Sequence, residues 1–371
     1  LSSRDFQLAD KTIEILDFSR STGDEIVRYM FSDSAGPYKA RPYEKLMVNT
    51  LNMVNYLALQ NLEGARVEAR RFSIMRSYLL DGDDVDEDAV GRAAMPGSYL
   101  AGFTFEKSRI PGEALRYYDE VLQAADVSSL GEPIRELSQQ TSYRTSRLQA
   151  AARRVEGPPP PTDASAEVLI VISYGRVPPL VAQRVPIGLA LTIAAAFLPS
   201  SAVQQARRLA GQGLVTWINY PELAPSRADY PLPAVQIDGG AHRSEVIADV
   251  DAVVRQAWAA SKGRVMAAAV TRMLTRAAVG AGVGVAAGKA SGRGGVGMLA
   301  AMVAQASMAA ADKPDTRSWA TLPARMAVVR TKLRPGTHEI QVTVLGQEHR
   351  LQATVGPGQW ILVDVLDLST Q

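Results

Sequence analysis

The chain of 371 residues contains no cysteine and only three histidines. These absences exclude disulfides, thiol nucleophiles, cysteine-ligated zinc and iron–sulfur clusters, and leave few residues for imidazole chemistry. Neither sign of charge dominates: 40 Lys and Arg stand against 38 Asp and Glu, a net +2 that is too small for a nucleic-acid binder working through bulk electrostatics. The usual catalytic kits are therefore missing, and a non-enzymatic role with no cofactor and no metal is expected. Lack of cysteine also favours the bacterial envelope over the cytosol. The sequence opens Leu1-Ser2-Ser3, without methionine, basic n-region or apolar h-region, so either a processed mature form or a trimmed chain is expected, with a lipid-bearing cysteine just before Leu1 as a hypothesis.

What is present divides at Glu156-Gly157-Pro158-Pro159-Pro160-Pro161, where four prolines remove backbone donors and stiffen an extended spacer. Before it the apolar spacing is helical. Leu46 to Leu59 and Ala65 to Met75 read as one helix pair, and Tyr99 to Lys107 followed by Ala114 to Leu122 as a second, broken at Ile110-Pro111-Gly112. The plan resembles tetratricopeptide units, in which a small residue early in the second helix lets the pair approach, here Ala65 and Ala114. These lie 49 residues apart instead of the ~34 of a regular array, and the excess is assigned to the acidic tract Asp81–Asp88. Asp17 to Tyr29 is read as part of a further, incomplete unit.

Beyond the spacer, Glu167–Tyr174 reads as a buried strand, Leu189–Phe197 and Ala202–Ala210 as helices, Leu214–Tyr220 as a strand stopped by Pro221, and Val235–Ile237 as a weaker strand. Met326–Leu368 carries three or four strands with turns at Arg334-Pro335-Gly336 and Gly356-Pro357-Gly358, and Ile340, Val342 and Val344 alternate with polar neighbours. The expected fold class is α+β. A tetratricopeptide-like helical domain spans 1–155, a proline linker 156–165, an α/β region 166–261, a basic Gly/Ala-rich helical hairpin 262–311, and a small antiparallel β-domain 312–371 that forms one unit with 166–261.

The hairpin segment is the most distinctive. It has six cations and no acidic residue. Met266, Val270, Met273, Leu274 and Ala277 recur at helical spacing, with Arg272 and Arg276 on another face, and Gly280, Gly284, Gly288 and Gly292 follow every four residues. Such a ladder lets helices pack closely. A membrane-associated or oligomerising hairpin competes with a buried hairpin or a Gly/Ala connector, and apolar stretches shorter than the ~20 residues of a span favour burial.

Other patterns fail a specific test. A phosphate-binding loop around Gly288-Lys289 would need Gly where Val283 stands and a hydroxyl where Ala290 stands; a dinucleotide motif from Gly280 meets Val285. Counting an EF-hand loop from Asp84 places Ala89 and Met95 where Gly and Glu belong, so the acidic tract reads as a solvated loop. His242, His338 and His349 are scattered. Arg66, Glu68, Arg70 and Arg71 form a dense charged patch, read either as i,i+4 pairing or as a partner-binding groove. A hydrolase is a distant alternative, with Tyr174, Arg176 and Glu222 near strand ends.

Gly36-Pro37-Tyr38, Arg41-Pro42-Tyr43-Glu44, Asn55 to Leu59, Leu62 to Arg71 and Asp315-Thr316-Arg317-Ser318-Trp319-Ala320-Thr321-Leu322-Pro323 together resemble an uncharacterised family of bacterial lipoproteins with tetratricopeptide-like N-terminal halves. That resemblance implies residence in the periplasm or at the outer membrane and offers no catalytic residues. Two roles follow as expectations. One is an envelope scaffold binding protein partners; the other is a membrane-inserting oligomer formed through the glycine ladder of the hairpin, with membrane-surface contact and a homo-oligomer as the partners it implies.

Overall fold

A computed structural model describes residues 4–9, 11, 38, 40–81, 86–155, 165–211, 217–226, 229–291 and 313–369, with backbone alone over 279–291. The architecture is mixed α+β. After a helical segment at 4–9 come α1 (Pro42–Ala58), α2 (Leu62–Leu80), α3 (Glu87–Lys107), α4 (Pro111–Ala124), α5 (Gly131–Leu137) and α6 (Ser146–Arg153). Then follow β1 (Ala166–Tyr174), β2 (Leu180–Pro186), α7 (Ile187–Ala194), α8 (Ser200–Gly211), β3 (Trp217–Leu223), β4 (Ala234–Ile237), β5 (Gly240–His242), β6 (Glu245–Asp249), α9 (Val250–Ser291), β7 (Arg325–Leu333), β8 (Gly336–Val344), β9 (Gln347–Val355) and β10 (Trp360–Asp367).

The two expected helix pairs are present, with identical turns. Gln60 (φ 55°) ends α1 and Arg109 (φ 59°) ends α3 in the left-handed region. In each turn the next N–H reaches back five residues, Asn61 to the Tyr56 carbonyl at 2.8 Å and Ile110 to that of Phe105 at 2.9 Å, which closes a Schellman motif. Ala65 and Ala114 are fully buried, one on each second helix. Much of the extra spacing between the pairs lies within the helices themselves. It lengthens helices, since α2 runs 19 residues and α3 21, starting at Glu87 instead of near Tyr99. Asp86 caps α3 by accepting the Ala89 N–H at 2.9 Å, and Glu87 and Asp88 occupy the first turn, where the helix dipole favours negative charge. Residues 82–85 of the acidic tract, 17–29, and the proline run 158–161 lie outside the described residues.

Three sheets occur among the described residues. In the first, β1 is flanked by β10 in parallel and β7 in antiparallel register, with β6 beyond β7. The second, β5-β4-β8-β9, is antiparallel throughout. The expected antiparallel β-domain is thus corrected at β10, whose partner is a strand nearly 200 residues earlier. The strand near 215 does not complete it: β3 pairs with β2, a strand the Pro-flanked sequence concealed, and runs through Pro221 because this two-stranded ribbon has free edges.

Alternation along β1 explains its position. Val168, Ile170, Ile172 and Tyr174 face Val235, Ile237, Ile340, Val342 and Val344 of the second sheet. Leu169 and Val171, with Met326, Val328 and Leu362, face the helices and join one continuous core with α1, α3 and α4. A strand covered on both faces reads as a nearly continuous apolar run, and β1 is apolar from Val168 to Ile172, with Glu167 and Ser173 near its ends. The helical and strand-rich parts therefore share a core. A third cluster packs α7, α8 and β3 on α9. That helix is continuous for 42 residues, about 63 Å at 1.5 Å per residue, and starts at Val250 rather than at 262. The expected return arm of the hairpin lies outside the described residues.

Close helix approach makes a sharp test on α3. A Cβ built on Gly97 would fall 2.2 Å from the Phe72 ring, whereas one on Gly91 meets nothing within 4 Å. Gly97→Ala is expected to destabilise by about 1–3 kcal/mol through overpacking, and Gly91→Ala to stabilise by up to about 1 kcal/mol through helix propensity. Urea unfolding of the two variants measures both signs.

Candidate functional site

A cluster of buried charge lies between α3 and the first sheet. Arg330 on β7 follows an apolar run and points to the helix side, with 4% of its side chain exposed. Its Nε donates to Glu167 of β1 at 2.6 Å, one Nη to Glu106 of α3 at 2.5 Å, and the other to the Tyr118 hydroxyl of α4 at 3.0 Å. Lys107 bonds both carboxylates. Both cations lie 5.0 Å from the Phe103 ring centre, and Trp360 of β10 meets that ring edge-on at 5.3 Å. Burial alone would raise Glu106; Arg330 and Lys107 overcome it and hold the carboxyl down at about 2. Tyr118 is pushed well up by burial and by Glu106. The cluster has the charges of an active site, but each of its charged groups is bonded to another of its members.

A second junction centres on Glu44, buried at the start of α1. Its carboxylate accepts from the Arg41 N–H (2.7 Å), the Tyr38 hydroxyl (2.5 Å) and the Trp319 N–H (3.0 Å). The Arg41–Glu44 and Asp315–Trp319 segments therefore meet although 275 residues separate Glu44 from Trp319. Beside them Arg41, Tyr43, Val177, Trp258 and Trp319 line a narrow cleft with room for about one water.

Next to that cleft, Glu222 of β3 takes Trp258 Nε1 at 2.7 Å, Lys262 at 2.6 Å and the Tyr220 hydroxyl at 2.7 Å. Burial tends to raise Glu222, and these three donors bring it below the usual carboxylate range. Tyr174, the expected companion of Glu222 in a hydrolase, lies instead between the two sheets, with its ring 6.3 Å from Tyr230. The carbonyl of Arg176 accepts the Tyr230 hydroxyl at 3.1 Å. Different partners hold the three residues, and they do not converge.

The other candidates separate as well. On α2, Glu68 is buried and accepts from Asn49 at 3.1 Å and Arg71 at 3.4 Å, while Arg70 is exposed and Arg66 half-buried, so the four do not form one surface. Arg272 and Arg276, candidates for helix packing, oligomerisation or membrane contact, are 4% and 6% exposed. Met266, Val270 and Leu274 bury the i, i+4, i+8 stripe of α9 against α7, α8 and β3. Gly280, Gly284 and Gly288 lie in the helical backbone of α9, and Gly292 lies outside the described residues. His338 bridges Asp238 (2.6 Å) and the Arg334 carbonyl (2.8 Å), and His349 contacts Asp367 at 3.3 Å. Among the described residues no three His, Asp or Glu gather as metal ligands, and no helix is long and apolar enough to cross a membrane. Compared with protein-family models, curated proteins and solved structures, the chain matches none of them.

Sequence reasoning did not assemble the Arg330 cluster. A signal was present: Glu167 and Arg330 each interrupt an apolar run, and a charge on a strand covered on both faces needs an opposite charge. Arg330→Met leaves two buried carboxylates facing one lysine and is expected to cost about 3–5 kcal/mol. Adding Glu106→Gln and Glu167→Gln should recover much of that loss in urea unfolding; an unchanged midpoint for Arg330→Met would contradict the role assigned to the cluster.

Proposed function

We propose that this protein is a non-enzymatic envelope scaffold, anchored at the outer membrane as a lipoprotein, whose tetratricopeptide-like helical layer binds other proteins of a multi-component assembly. The observation that carries this reading is on α2. Val67, Ile74 and Tyr78 are 45%, 70% and 60% exposed, three large apolar residues on the outer side of the layer where a surface helix ordinarily carries charge. The paired Schellman turns at Gln60 and Arg109, with Ala65 and Ala114 at the same 49-residue offset, support a degenerate repeat. The charged clusters support a structural role, because their charges are bonded to one another across different elements. The envelope assignment rests on the cysteine-free composition and the lipoprotein resemblance.

A second reading is a homo-oligomer packed through the glycine face of α9, favoured by the continuous helix through Gly280, Gly284 and Gly288. Purification of the native protein in mild detergent distinguishes the two. The scaffold reading predicts a stoichiometric protein companion that is retained in Gly284→Leu; a clean homo-oligomer that dissociates in Gly284→Leu would replace it with the second.

A further inference from the structure

Beyond the scaffold reading and independent of it, we propose that the outer side of the lobe formed by β2, α7, α8 and β3 lies on an anionic lipid surface. The lobe is a layer on α9, against which Ile187, Ala190, Leu191 and Ala194 of α7, Ala206 of α8, and Ile218 and Tyr220 of β3 are buried. Three large apolar residues remain outside: Leu189, Phe197 and Trp217 are 50%, 48% and 53% exposed. On α7 a rotation of about 100° per residue sets Gly188, Leu189, Thr192 and Ile193 opposite the buried four, so its outward face holds no charge. Phe197, in the turn after α7, lies over Gly263 of α9, where an added Cβ would fall 2.3 Å from its ring. Trp217 pairs with Pro186, the residue before α7, and Arg184 donates to Asn219 at 3.0 Å on the same face of the ribbon. A surface helix ordinarily carries charge outward, and one that does not is suited to a non-aqueous neighbour.

Charge selects the kind of surface. From Val168 to Pro221 the sequence has four arginines and no acidic residue, and from Val185 to Ala206 it has no ionisable side chain. Arg184, Arg207 and Arg208 are exposed, and Arg208 lies opposite the buried Ala206 on α8. The one carboxylate of the lobe, Glu222, is occupied by Lys262, Trp258 and Tyr220. Among the described residues, Lys262–Glu222 is the only ion pair made by any residue of 180–223. An uncharged apolar face bordered by cations that no carboxylate answers is the pattern of a segment lying in a membrane interface, where arginine meets lipid phosphate and a tryptophan ring sits at headgroup level. The contact lies in the plane of the surface and needs no spanning helix. A protein partner matches less well, because Gly188, Thr192 and Ala196 on the outward face leave little relief for side chains to interlock.

The test is sedimentation of the full chain with vesicles of phosphatidylcholine, alone or mixed with phosphatidylglycerol. The mixed vesicles should bind at least tenfold more tightly, and high salt should remove the difference. Leu189→Glu with Trp217→Glu, and separately Arg207→Glu with Arg208→Glu, should each weaken binding at least tenfold, while Ile74→Glu with Tyr78→Glu on α2 and Gly284→Leu on α9 should leave it unchanged. Binding should also shift tryptophan emission to the blue, and Trp217→Phe, a change mild enough to keep the fold, should abolish that shift. No binding to the mixed vesicles, equal binding to both compositions, undiminished binding in the charge-introducing variants of the lobe, or a blue shift that persists in Trp217→Phe would overturn the proposal. So would binding that Gly284→Leu abolishes, which places the contact on α9. Loss of a companion protein or of self-association in Leu189→Glu with Trp217→Glu, with vesicle binding intact, assigns the face to a protein or to a second copy and overturns it as well. The scaffold reading stands or falls separately, on whether a companion co-purifies with the wild-type chain.

Discussion

A guanidinium cannot be buried unless the surrounding structure answers its charge, and the fold is organised around how Arg330 is answered. Its partners come from three places in the chain: Glu106 and Tyr118 from the helical layer and Glu167 from the central strand. Removing any one element would leave charge stranded in the interior, where an unpaired ion costs several kcal/mol. The cluster thus sets the position of α3 across β1 and β7 more strictly than apolar contact could, because greasy surfaces can slide and directional hydrogen bonds cannot. Lys332, two residues on and pointing to the same side, repeats the device by reaching Glu132 at 3.0 Å and Glu136 at 2.6 Å on α5. The same side of the sheet is therefore tied to the helices at two successive levels.

This arrangement changes what the proline run means. Composition divides the chain at 158–161, yet the apolar core passes from α1, α3 and α4 into β1, β7 and β10 without interruption. Glu44 adds a third tie between the N-terminal helix and the segment that precedes β7. A boundary in composition need not be a boundary in packing. The cation-rich and acid-rich stretches, which cancel in the net charge, are likewise put to local use: Asp86 to Asp88 begin a helix, and Arg272 and Arg276 are turned inward.

Much of the fold was legible because it follows local periodicity. The helix pairs that turn at Gln60 and Arg109, the buried run at 168–172 and the alternation at Ile340, Val342 and Val344 all follow from side-chain spacing. What escaped depends on tertiary pairing. The parallel partnership of β10 with β1, the β2–β3 ribbon through Pro221, and the start of α3 at Glu87 leave weak local traces, because proline and acidic residues ordinarily signal loops. The candidate surface shows the same division. Arg70 and Arg71 were identifiable as a charged patch, but Glu68 turned inward and Val67, Ile74 and Tyr78 outward, a rotation that only the packing of Ala65, Ala69 and Phe72 decides. Residues with catalytic character were visible in the sequence as types, whereas their mutual saturation at seams between elements was not.

Native-state hydrogen exchange tests the central claim most directly. If Arg330 and the shared core bind the helices to the sheet, the slowest amides of α3 should exchange with the same opening free energy as those of β1 and β7, through one cooperative unfolding. Exchange of α3 at a markedly lower free energy, with β1 still protected, would show two separately folding units and contradict the account.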